Sequence, residues 1–221
     1  MKMFDITQNG REANIFIYGD ITSYPYKANK SAASIVEELQ ALDADAINVH
    51  IDSYGGSVKE GWGMYNALRE HKAKIRTYAD GFVASAALYP FLAGDERYAS
   101  SVSAFFLHQV AVGAHGYAED LRAAADDADL MTDIGIQAFV DVAGMTKEKT
   151  LELMKQETWL KPQAALELGI CTAITKGGET QTYTQSVRQQ IIQKLTGTPE
   201  EQKAPGEPEK TNIFARMFAA K

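Results

Sequence analysis

The chain has 221 residues, with 22 Lys and Arg against 29 Asp and Glu and a formal net charge of −7. That length makes one full domain with room for an appendage, and the domain can bury a core without disulfides or a structural metal. The acidic balance excludes generic phosphate binding, so no nucleic-acid partner is expected. The single cysteine, Cys171, excludes an internal disulfide and a cysteine-rich zinc site. No metal or cofactor is expected. The first nine residues have no apolar h-region, and no stretch approaches the roughly 18 apolar residues of a spanning helix. A soluble cytoplasmic protein without a membrane partner is expected.

Residues 14–18 form a short apolar run that stops at Gly19-Asp20 and reads as a buried strand. Ile35, Val36, Leu39 and Leu42 fall at helical spacing within 29–42. Residues 46–51 are the next strand, ended by the sharp turn Asp52-Ser53-Tyr54-Gly55-Gly56. Ser57-Val58-Lys59-Glu60 fits a capping box, opening a helix that buries Val58, Trp62, Tyr65 and Leu68. A third strand is expected over 74–79, then a small-residue turn from Gly81 running into an apolar helix at Leu88. Residues 97–99 and 103–107 look like further strands. This alternation of strand and helix points to parallel β-α-β units and an α/β fold.

A long helix is expected over 117–143, with Leu121, Ala128, Met131, Ile134 and Phe139 as its apolar stripe. Shorter helices follow at 147–156 and 162–168, and a last strand at 170–174. Beyond Lys176 glutamines accumulate, then prolines and charges. Residues 196–211 read as a flexible linker and 213–218 as a short amphipathic docking segment. The expected division is a folded domain over 1–175 and a tail over 176–221.

Three local features carry potential chemistry. Gly55-Gly56 stands between a strand and a capped helix, where backbone amides point outward at an anion or oxyanion. Taken alone it is more often a tight βα turn. Ser85, flanked by Ala84 and Ala86, has room beside it for a substrate carbonyl, although most serines in such a place are caps. His108 ends the strand Phe105-Phe106-Leu107 and is placed to act as a base, although a structural histidine is commoner. His50, in a strand, has no comparable setting.

In order, these motifs resemble the proteolytic subunit of the Clp protease family. The carrying segments are Ile51-Asp52-Ser53-Tyr54-Gly55-Gly56-Ser57-Val58, Gly81-Phe82-Val83-Ala84-Ser85-Ala86-Ala87, Phe106-Leu107-His108-Gln109 and Glu157-Thr158-Trp159-Leu160. The resemblance covers about residues 14–175. It implies the fold class shared with crotonase-like enzymes: repeated β-β-α units, a long protruding handle helix and a flexible tail. It further implies a serine peptidase with Ser85 as nucleophile and His108 as general base, and Gly56 and Ala86 offering oxyanion-hole amides. Glu157 is implied as the third member, where the family usually has Asp; Asp133 or Asp141 is the alternative. Tyr54 stands where the family commonly has Pro. Strands at Gly55-Ser57-Val58 and at Ala111-Val112-Gly113 are implied to hold extended substrate.

The resemblance also implies a homo-oligomeric ring, heptameric or doubled, acting on polypeptide. Ala84-Ser85-Ala86-Ala87, Glu157-Thr158-Trp159-Leu160 and the tail look closest to the phage and prophage branch, which cuts capsid or scaffold proteins in proheads. The alternative is a housekeeping peptidase working with an AAA+ ATPase. A crotonase-like acyl-CoA hydratase, a Ser-Lys signal-peptide peptidase and a non-catalytic capsid-assembly protein are the rival readings. Ser85 with His108 argues against the first, the absence of an anchor against the second, and the full set of polar residues against the third.

Overall fold

The computed structural model describes residues 4–22, 32–176 and 179–182. Three parallel strands run through the centre of the sheet: β2 (Glu12–Tyr18), β3 (Ala46–Ser53) and β4 (Lys74–Ala84), preceded by β1 (Phe4–Asn9). Ala13, Ile15, Ile17, Ile47, Val49, Ile51, Ile75 and Ala79 are buried. They alternate along their strands, the period of a sheet with one face in the core. Leu39 from α1 (Ala32–Ala41) and Met64 and Leu68 from α2 (Val58–Glu70) join the same buried cluster.

The opposite face carries a cross-strand aromatic row. With β5 (Glu96–Ser100), register aligns Phe16, His50, Tyr78 and Tyr98, whose rings stack at 5.1, 4.7 and 5.1 Å. His50 therefore has a defined setting after all: its Nδ1 is 2.9 Å from Asp80 Oδ2, which also accepts from the Tyr18 hydroxyl at 2.6 Å. β1 pairs antiparallel with β2. No strand is expected there from the sequence, because Phe4 and Ile6 alone make too weak an alternation.

Only half of the expected capping box forms. Ser57 Oγ accepts from Glu60 N, but the Ser57 N–H donates to Ile21 O at 2.8 Å rather than to the Glu60 carboxylate.

β4 is longer than expected. It pairs with β5 over Arg76–Ala79 and then with β6 (Ala104–Leu107) over Phe82–Ala84. The expected turn at Gly81 is therefore strand. A register shift between Ile51 and Ser53 in the β3–β4 ladder accompanies the change of partner. The Asp52 carboxylate holds the crossover by accepting the Phe82 N–H at 2.9 Å.

A 3₁₀ turn, Ser85–Ala87, leads into α3 (Leu88–Leu92). The long helix α4 (Ala118–Ala138) ends in a π-helical turn, Phe139–Ala143, closed by Gly144 at φ 68°. Its buried side chains begin only at Thr132, so its first half projects from the body. The expected apolar stripe divides accordingly: Phe139 is buried, whereas Leu121 and Ile134 are about half exposed.

α5 (Lys147–Lys155), β7 (Thr158–Leu160) and α6 (Pro162–Glu167) follow. The last expected strand lies later than predicted, as β8 (Ala173–Lys176) beside β5, and β9 (Glu179–Thr182) pairs back onto it. The buried Arg97 accounts for the delay. Its guanidinium donates to the carbonyls of Gly94, Gly169 and Ile170, holding 169–170 as a turn. The expected linker at 196–211 and the segment 213–218 lie outside the described residues. No helix among the described residues is long and apolar enough to cross a membrane.

Candidate active site

Ser85 follows β4 directly and has φ 56°. An L-residue in that left-handed region is strained, and here the strain makes a sharp strand-to-helix elbow that lifts the side chain out of the sheet. Ser85 is therefore the elbow itself and not the cap of a helix, as its local sequence alone would favour.

The β4–β6 register aligns Ala84 with Phe106, so the next residues on both strands emerge together. His108 Nε2 lies 2.7 Å from Ser85 Oγ. With the imidazole proton on Nδ1, the Ser85 hydroxyl donates to Nε2. Such a hydroxyl is set to lose its proton as its oxygen attacks an electrophile. Burial holds the His108 pKa below its ordinary value, and the charge of Glu157 opposes that shift. A depressed pKa keeps the imidazole neutral, the form that accepts a proton.

β7 runs antiparallel to β6 with Leu107 opposite Thr158, so register carries Glu157 to the level of His108. Glu157 is exposed and has φ 49°. The two alternative acids are engaged elsewhere. Asp133 is 3.6 Å from Lys147 Nζ, and Asp141 accepts from Gln137 at 2.6 Å.

Gly55 and Gly56 have φ 95° and 139°. A Cβ on Gly55 would lie 2.8 Å from Ser85 Cβ and 2.6 Å from Ala84 O, so glycine lets this turn pass behind the elbow. Ser53 fixes the turn by donating to Gly19 O at 2.5 Å and accepting from Gly55 N at 3.0 Å.

A cavity of about 120 Å³ opens beside Ser85. Gly56, Ser85, Ala86, His108 and Ala111 border it, and Val58 and Leu88 are among its apolar walls. Of the residues expected to hold substrate, Gly55 packs behind Ser85 and Ser57 caps α2. Val112 and Gly113 are exposed outside the cavity. Neither expected substrate-binding segment is a strand. Val58 opens α2, and 108–116 has no regular structure, since a strand needs a neighbouring backbone, and β4 ends level with Phe106 while β7 begins level with Leu107.

An aromatic chain that was not expected from the sequence ends on the imidazole. Tyr54 stacks on Phe82 at 5.0 Å, Phe82 meets Trp159 edge-on at 5.5 Å, and Trp159 meets Phe106 at 4.6 Å. Phe106 then stacks on His108 at 5.4 Å. One signal was available: Phe106 and His108 stand two residues apart at the end of an extended run, the spacing of side chains on one side of the chain. Among the described residues, no three His, Cys, Asp or Glu side chains gather as metal ligands.

The family profile described as Clp protease matches residues 2–178. The ATP-dependent Clp protease proteolytic subunit of Paracoccus denitrificans is 31% identical over 163 residues, covering 72% of this chain and 79% of its own. The ATP-dependent Clp protease proteolytic subunit 1 of Prochlorococcus marinus is 32% identical over 166 residues, covering 72% and 82%. A solved ClpP1 variant from Listeria monocytogenes superposes with a TM-score of 0.64 at 22% identity, over 76% of this chain and 92% of that one, a likeness of fold. These relatives are bacterial proteolytic subunits and lend no support to the expected capsid-maturation branch. The chain belongs to the Clp protease family of serine-type peptidases.

Proposed function

We propose that this peptidase cleaves extended polypeptide through an acyl-enzyme formed on Ser85. The observation that carries the reading is the 2.7 Å contact between Ser85 Oγ and His108 Nε2 at the mouth of a cavity. Ser85 Oγ attacks the scissile carbonyl carbon as its proton passes to His108 Nε2. The carbonyl oxygen takes up the negative charge and receives hydrogen bonds from the amides of Gly56 and Ala86. Removing one donor of this kind lowers turnover by ~10²–10³. The tetrahedral species collapses, the C–N bond breaks and His108 protonates the leaving amine. Water then repeats the sequence on the ester, with His108 again as base, and frees Ser85. Glu157 stabilises the charged imidazole.

The relatives' name, ATP-dependent Clp protease proteolytic subunit, favours work beside an ATPase that delivers unfolded chains over the capsid-maturation role. A homo-oligomeric ring fits that reading. A fluorophosphonate is expected to label the protein at Ser85, and Ser85→Ala is expected to abolish both labelling and casein degradation. Equal casein degradation by wild type and Ser85→Ala overturns the proposal. Native mass spectrometry reads the ring, and a stable monomer at micromolar concentration counts against it.

A further inference from the structure

We infer that Tyr89 sets the depth of the cavity beside Ser85, and thereby the size of the side chain accepted on the acyl side of the cleaved bond. This rests on the peptidase reading above. No charged side chain lines the cavity, and its inner walls include Val58, Leu88, Phe139 and Met154. Its volume is about 120 Å³, somewhat below the roughly 150 Å³ of an apolar cavity that admits benzene. It therefore suits an aliphatic side chain such as leucine or methionine better than the larger indole of tryptophan.

A second cavity of about 180 Å³ lies between α2 and α4, lined in part by Trp62, Tyr65, Ile134 and Gly135. Tyr89 lines both cavities. One ring thus stands between the apolar pocket at the nucleophile and a second space whose lining also includes Asn66, Gln137 and Asp141.

The ring is held in place from behind. Tyr89 is 6% exposed, with Trp62 edge-on at 5.9 Å and Phe139 at 6.5 Å. The Trp62 ring and the Tyr89 hydroxyl both face Gly135 on α4. Gly135 on α4 leaves the space that this hydroxyl fills, and a Cβ there would overlap the oxygen. Depth therefore depends on Tyr89 directly and on Gly135 and Trp62 through it. Shortening residue 89 joins the two spaces, and a Cβ at residue 135 drives the ring towards Ser85.

The test uses the full-length protein and capped fluorogenic peptides that differ only in the residue before the scissile bond: Ala, Leu or Trp. Wild type is expected to favour Leu over Trp. Tyr89→Ala is expected to raise the Trp-to-Leu ratio of kcat/KM by about tenfold or more, the range that a few methylene-sized units command in an apolar pocket. Gly135→Ala is expected to shift preference the other way, towards Ala over Leu, by a similar factor. Tyr89→Phe keeps the ring and is expected to hold the ratio within about threefold. Where the alanine variant does not fold, Tyr89→Leu is read in the same way. Unchanged ratios in Tyr89 and Gly135 variants that still react with a fluorophosphonate overturn the inference. A wild type that neither labels nor cleaves overturns the peptidase reading instead, so the two failures are distinguishable.

Discussion

Ser85 and Glu157 are the two non-glycine residues with positive φ among the described residues, at 56° and 49°. They end or precede strands flanking opposite sides of β6, and His108 follows β6 between them. Left-handed backbone at a non-glycine residue costs roughly 1–3 kcal/mol and persists only where surrounding structure enforces it. The β4–β6–β7 ladder supplies that enforcement.

The strain at Ser85 is measurable. Ser85→Ala keeps the Cβ and the strain. Ser85→Gly removes it, at a backbone-entropy cost of roughly 0.5–1 kcal/mol. The glycine variant is expected to be more stable than the alanine variant by about 1 kcal/mol, a Tm difference of about 2–4 °C at this size. Both variants are expected to lack peptidase activity. Calorimetry showing the alanine variant at an equal or higher Tm would refute stored strain at the elbow.

The pH dependence follows from His108. Burial depresses its pKa and the Glu157 charge partly restores it. With the neutral imidazole as the proposed base, kcat/KM is expected to rise through an apparent pKa below the ordinary histidine value of about 6.5. Glu157→Gln removes the raising charge, so the inflection moves further down while the plateau rate falls on the order of 10²–10⁴-fold. A folded pKa below the unfolded one also favours the native state above the unfolded pKa. That contribution is lost as pH falls through the unfolded value towards the folded one. An inflection that stays put or moves up in Glu157→Gln contradicts this electrostatic role.

Ser85 and His108 were legible as separate candidates because each stands beside a strong local pattern, small residues in one case and an apolar strand in the other. Their pairing came only through the family resemblance, since it depends on β4 changing partner from β5 to β6, which Asp52 and a register shift in the β3–β4 ladder accompany from 30 residues away. The chain Tyr54, Phe82, Trp159, Phe106 comes from four separate segments and exists only once that register is set. The strand expected at 111–113 is absent for a related reason: an extended segment forms a strand only beside another backbone, and sequence does not show which neighbour is present.

The tolerance of the elbow is set by Gly55. Alanine there meets Ala84 O at 2.6 Å and Ser85 Cβ at 2.8 Å, at a backbone φ of 95° that L-residues resist. Both contacts involve the elbow segment itself, so relief must move Ser85. Gly55→Ala is expected to slow fluorophosphonate labelling by more than tenfold and to lower stability by about 1–3 kcal/mol. Wild-type labelling in a variant with an unchanged Tm would show that the turn stands clear of the elbow.

Thr132 ties α4 to the segment after His108. Its Oγ1 donates to Ala128 O at 2.8 Å and accepts the Val110 N–H at 3.0 Å, and the side chain is buried. Thr132→Val keeps the shape and removes both bonds, leaving a partly buried amide without its acceptor. The expected destabilisation is about 1–3 kcal/mol. Because Val110 lies two residues from His108 and lines the same cavity, the loss is expected in kcat more than in KM. Thr132→Ser retains the hydroxyl and is expected to restore kcat while still missing the methyl. If valine and serine lower kcat equally, the methyl group and not the hydrogen bond holds this segment, and α4 positions His108 by packing alone.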